Sequence, residues 1–175
     1  MNARTLSEKV LAELEYDFRA FSIDHFIHRV EQKKGRKILL IPFKYPAGSF
    51  GTWFTDDEEP NEYIFYRSNV PPIYQIHNQL HEIAHFLLGH PTLHINRKIL
   101  AEVLRGEREL PFREYALLRS NNSSTGEKYI REVEAETLAS VIQERVIRHA
   151  QLDRLTRGIS SDKNIANYLE HLGMT

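Results

Sequence analysis

Cysteine is absent from the 175 residues. That excludes disulfide staples and thiolate ligands, so any zinc site must be built from histidine and carboxylate. No run approaches the ~18 apolar residues of a membrane span. The start, Met1-Asn-Ala-Arg-Thr-Leu-Ser-Glu-Lys9, lacks the apolar stretch of a secretory signal. A cytoplasmic protein with no membrane partner is the expectation. An excess of one charge is missing too: 23 Lys+Arg against 24 Asp+Glu give a formal net charge of -1, with no global footprint for nucleic acid. The one basic run, Lys33, Lys34, Arg36 and Lys37, falls at an expected helix C-terminus, where cations suit the dipole. Direct nucleic-acid binding is therefore not expected. With no repeat and no interdomain linker, the chain reads as a single domain over 1–175, with a core over 20–150 and a helical extension over 151–175.

Histidine, in contrast, is concentrated. Of nine in the chain, five stand at 77, 81, 85, 90 and 94. His81-Glu82-Ile83-Ala84-His85 is an HExxH array, which on a helix sets two imidazoles one turn apart on one face. Both can then reach one zinc ion, while Glu82 is left free to act as general base on a water that the zinc activates. The frame supports the helix. Ile76, Leu80, Ile83 and Leu87 form an apolar stripe, Pro71 and Pro72 suit its start, and Gly89 before Pro91 suits its end. His77 and His81 make a second i, i+4 pair, but without a glutamate placed for chemistry. His90, His94, Tyr74 and Tyr129 are candidate donors to substrate or oxyanion, although surface placement is the commoner fate of such residues.

A catalytic zinc needs a third protein ligand. The histidine of the longer HExxHxxGxxH pattern is excluded, since Leu88 and Pro91 occupy the required positions. A downstream helix is the other source. Ser124-Thr-Gly-Glu127 reads as a capping box for a helix running to about His149, with Ala135, Leu138, Ala139, Ile142 and Val146 on one arc. Glu132 and Glu136 both border that arc, whereas Glu134 points away from it. Ala135 and Ala139 permit the close approach a glutamate ligand requires.

The remaining pattern implies helices over 6–20 and 23–34, strands over 37–43, 48–55 and 62–67, a helix over 97–108 and an irregular loop over 110–126. This is an α+β chain, mainly helical, with a small three-stranded antiparallel sheet packed on the HExxH helix. Residues 50–55 are the candidate edge for an extended substrate.

His81-Glu-Ile-Ala-His-Phe-Leu-Leu-Gly-His90, followed by Glu132-Val-Glu-Ala-Glu-Thr-Leu-Ala139, resembles the ImmA/IrrE-type metallopeptidases, compact gluzincin-like zinc proteins with HExxH and a later ExxA(D/N)xxA segment. Glu136 stands where that family has Asp or Asn. The resemblance implies a minimal zincin-like domain in which His81, His85 and Glu132 bind zinc, Glu82 is the general base and Glu136 supports a ligand histidine. It further implies a zinc-dependent endopeptidase acting on one protein substrate, typically a helix-turn-helix repressor of a mobile element or stress regulon. The alternative is a zinc-binding interaction module, toxin/antitoxin-like or regulator-sequestering, without proteolysis.

Overall fold

The computed structural model describes residues 2–45, 50–121 and 125–157. Local capping chemistry sets most of the boundaries. Helix α1 (Ala3–Leu14) starts where the Thr5 N–H donates to the Asn2 side chain. It stops at Glu15, which adopts a left-handed φ of 51°. The helix expected over 6–20 is therefore divided: Asp17 caps a separate 3-10 turn (Phe18–Ala20), which still delivers Phe18 to the core. Helix α2 (Ile23–Lys34) runs from the Ser22 cap to Gly35 at φ 66°, as its sequence implies.

The sheet differs from the expected antiparallel meander. Among the described residues it has four strands, β1 (Lys37–Phe43), β2 (Gly51–Thr55), β3 (Asn61–Arg67) and β4 (Leu93–His94), in the order β1-β3-β2-β4. Only β2 and β3 are antiparallel; β1 lies parallel to β3, and β4 parallel to β2. The hairpin at the acidic turn inserts β3 between β1 and β2, so the longer β1–β2 connection must cross over. Residues 48 and 49 of the expected second strand lie outside the described residues. Two-residue β4 has too little sequence to show a period.

Helix α3 (Pro72–Leu88) carries the HExxH array and packs on β2, β3 and α6 (Thr125–Arg157). Successive strand residues serve opposite faces of the sheet. Trp53 and Ile64 join Leu80, Ile83 and Ala84 of α3 in the larger cluster. Phe54, Tyr63 and Phe65 point the other way, to Leu100 and Val103 of α4 (Arg97–Leu104) and Tyr115 of α5 (Phe112–Asn121). Helix α5 replaces part of the irregular loop expected over 110–126. Its described anchors, Phe112 and Tyr115, are too few to produce a periodic stripe among the polar residues that follow. The expected extension lies outside the described residues from 158 onward. Among the described residues, no helix is long and apolar enough to cross a membrane.

Each cation of the basic run is engaged by the fold. Lys33 pairs with Glu15, Lys37 with Glu31, and Arg36 with the buried Glu62. Lys34 donates to the Leu87 carbonyl near the end of α3. The larger cluster also takes Leu11 and Leu14 of α1 and the full arc of α6, in which Ala135, Leu138, Ala139, Ile142 and Val146 are wholly inaccessible. Burying Leu138, Ile142 and Val146 contributes about 1.5–3 kcal/mol each. Ala139 is fully buried in this seam. Ala139→Leu is expected to lower the unfolding free energy by about 1–3 kcal/mol through overpacking, measured by urea titration. An unchanged midpoint would show that α6 does not approach its neighbours tightly there.

Candidate metal centre

Helices α3 and α6 run antiparallel, and their facing rows meet in reverse order. His85 and His81 approach Glu132, His81 and His77 approach Glu136, and His77 reaches Gln143. Residues four apart on a helix lie about 6 Å apart along its axis, so one row of imidazoles can be read by one row of polar side chains. Among the described residues, His81, His85 and Glu132 form a group able to hold a metal ion.

The distances suit that ion. Ligands bound tetrahedrally to zinc at about 2.0–2.1 Å lie about 3.3–3.4 Å from one another. Here His81 Nε2 and His85 Nε2 are 3.1 Å apart, and Glu132 oxygens lie 3.4 Å from the first and 3.7 Å from the second. Both Nε2 atoms and the carboxylate converge, so the residues present fit the group. Among the described residues, His77 falls in no metal-capable group; its ring lies 3.2 Å from Glu136 and from Gln143.

Support behind the ligands follows from the same register. Glu136 Oε2 lies 3.2 Å from His81 Nδ1, which orients that ring with Nε2 toward the centre. Glu132 thus faces the Nε2 atoms of His81 and His85, and Glu136 the Nδ1 of His81. Burial opposes charge on His81. The hydrogen bonds to Glu132 and Glu136 and the negative charges of Glu82 and Glu132 outweigh it, holding the ring's pKa up at about 9. The same contact with His81 holds the Glu136 carboxyl below the usual range, against burial.

Glu82 is buried at 4% exposure, and its placement depends on two residues with no motif signal. The Tyr115 hydroxyl donates to Glu82 Oε2 at 3.2 Å and accepts the Trp53 N–H at 3.2 Å. Gly51 presses on the same side chain: a Cβ there would stand 2.8 Å from Glu82 Cγ and 2.9 Å from Oε1. The outward edge of β2 is thereby partly filled, because Tyr115 takes the Trp53 N–H, Thr92 donates to the Trp53 carbonyl, and β4 pairs with Phe54 and Thr55. The substrate edge expected over 50–55 is correspondingly reduced.

A cleft of about 530 Å³ opens on His81, Glu82 and Glu132. Phe50, Val70, Pro71 and Tyr74 give it an apolar lip. Asn78, one turn before Glu82, also lines it, and its buried Nδ2 has no hydrogen-bond partner among the described residues. His90 sits behind His85 rather than in the cleft, at 2.8 Å between their Nδ1 atoms. His94 pairs with Asp57 on the acidic turn, and Tyr129 is exposed on α6.

Comparison with protein-family models, curated proteins and solved structures finds no match, so the likeness to the ImmA/IrrE-type proteins rests on the two motifs.

The raised His81 value has a definite sign. Its proton stabilises the metal-free fold fully below the ordinary value of 6.5, and that contribution is lost as pH rises through about 9. Metal binding requires the neutral ring, so apparent zinc affinity strengthens with pH across this window. Calorimetry at about pH 8 in buffers of unlike ionisation enthalpy is expected to register about one proton released per zinc bound. No proton release would contradict the charge state assigned to His81.

Proposed function

We propose that this chain is a zinc-dependent endopeptidase built on a minimal zincin-like scaffold. The observation that carries the reading is the convergence of His81, His85 and Glu132 beside a buried glutamate, Glu82, that lines the same cleft. A site that only held the fold together would close around four ligands. Here the third ligand comes from α6, and the remaining side opens on the cleft.

When bound, zinc supplies Lewis acidity that polarises a peptide carbonyl and makes water nucleophilic near neutral pH. The chain's own residues do the rest. Glu82 accepts a proton from the attacking water and returns it to the leaving amine. Tyr115 holds one oxygen of that carboxylate while Gly51 leaves space for it against β2. Burial of Glu82 among these groups favours hydrolysis over a purely associative role, since a binding module has no use for a positioned base. The resemblance supplies the substrate class: a protein, with a helix-turn-helix repressor as the leading candidate.

The reading is tested in two stages. Elemental analysis is expected to find close to one zinc per wild-type chain, lost in His81→Ala and His85→Ala. Glu132→Ala should weaken zinc binding far more than Glu136→Ala, because only the first removes a metal bond. New protein N-termini, compared between hosts producing the wild type and Glu82→Gln, then report cleavage. Glu82→Gln should retain zinc and lose the cleavage products; identical products from both would remove Glu82 from the reaction. Zinc binding with no products from the wild type would leave the interaction-module reading.

A second variant separates placement of the base from its chemistry. Gly51→Ala drives a methyl into Glu82 Cγ, so cleavage is expected to fall by about tenfold or more, the scale on which misplaced catalytic groups lose rate. Zinc content should stay at the wild-type level. A fully active Gly51→Ala enzyme would mean that the close contact does not fix Glu82.

A further inference from the structure

The two ligand histidines are supported differently, and one of the supports is not foreshadowed by the motif. His81 meets a carboxylate directly, through Glu136. His85 meets another histidine: its Nδ1 lies 2.8 Å from His90 Nδ1, and His90 Nε2 lies 3.2 Å from Glu134 Oε2. The three side chains become more exposed outward, His85 at 2%, His90 at 9% and Glu134 at 22%.

The protons in this row have one consistent direction. His85 Nε2 faces His81 Nε2 and Glu132, so a metal there requires its lone pair on Nε2 and its proton on Nδ1. His85 Nδ1 then donates to His90 Nδ1. That leaves the His90 proton on Nε2, where it donates to the Glu134 carboxylate. Each nitrogen has the role its neighbour needs.

The backbone builds this contact. Helix α3 ends with Gly89 at φ 68°, its N–H donating to the Phe86 carbonyl. The next N–H, of His90, donates back to the His85 carbonyl at 3.0 Å. This paired closure returns the residue after the glycine to the residue five earlier. His90 and His85 are therefore joined twice, through the main chain and through the rings. Glu134 completes the row from α6, on the side that the helical wheel turns away from the ligand position.

We propose that His90 and Glu134 are positioning residues that fix His85 as an Nε2 ligand: Glu134 accepts the His90 Nε2 proton, which presents the His90 Nδ1 lone pair to the His85 Nδ1–H. The proposal rests on the zinc reading above. With both supports in place, all three glutamates of the Glu132-Val-Glu-Ala-Glu136 segment act at the centre, one on the metal and two behind the histidines.

Zinc itself is the probe. Chelator competition is expected to show affinity about 10–100-fold weaker in His90→Phe and in Glu134→Ala, the usual effect of removing such support. Glu134→Gln keeps an acceptor for the His90 proton and should recover most of the loss. In ¹⁵N–¹H spectra of the zinc-loaded protein, the His85 Nδ1–H should be protected in the wild type and exchange rapidly in His90→Phe, with the His81 Nδ1–H unchanged. A general structural defect would disturb both rings and lower the melting temperature of the metal-free protein. Glu134 is only partly buried, so Glu134→Ala decides the matter even where His90→Phe fails to fold. Wild-type affinity in Glu134→Ala, or His85 bound through Nδ1, would overturn the relay alone. A wild type that takes up no zinc would overturn the metal reading and the relay with it.

Discussion

Everything at the centre depends on how closely α3 and α6 approach. Glutamate is a short ligand, and it reaches a metal held by two histidines on another helix only if the backbones are near. Ala135 and Ala139 allow that approach, and the fully buried Leu138, Ile142 and Val146 hold it in register. Antiparallel packing then pairs His85, His81 and His77 with Glu132, Glu136 and Gln143 in reverse order. A displacement of one helical turn would exchange Glu132 for Glu136 at the metal position. The apolar seam thus decides which carboxylate joins the metal-capable group.

The sheet contributes the other constraint. Strand β2 lies against α3 so closely that Gly51 must lack a side chain for Glu82 to fit. On the far side of the same strand edge, Tyr115 bonds both the strand and the carboxylate. Glu82 is therefore held by β2 and α5, while the metal-capable group of His81, His85 and Glu132 is brought together by α3 and α6. Under the proposed function, substitutions in β2 or α5 would separate placement of the base from binding of the metal.

How much of this was legible depends on whether a feature is local. The limits of α2 and α3 are written in Ser22, Gly35, Pro72 and Gly89, because caps and left-handed glycines act within a turn. The HExxH spacing and the Ala135–Val146 arc are likewise properties of one helix. Strand order is a long-range outcome: nothing within 37–67 says that β3 enters between β1 and β2, so the antiparallel meander was the simpler expectation. Tyr115 was not identifiable as a partner of Glu82, being 33 residues distant on a helix with almost no apolar periodicity. Glu134 points away from the apolar arc on the wheel of α6. Its contact with His90 was hidden because it depends on the turn after α3, which a wheel drawn for α6 does not contain.

If α6 delivers Glu132 to the two histidines of α3, anomalous diffraction from zinc-loaded crystals at the zinc edge should show one peak bonded by His81 Nε2, His85 Nε2 and a Glu132 oxygen at about 2.0–2.2 Å. A peak bonded by Glu136 with Glu132 turned away, or one centred between His77 and Glu136, would contradict it.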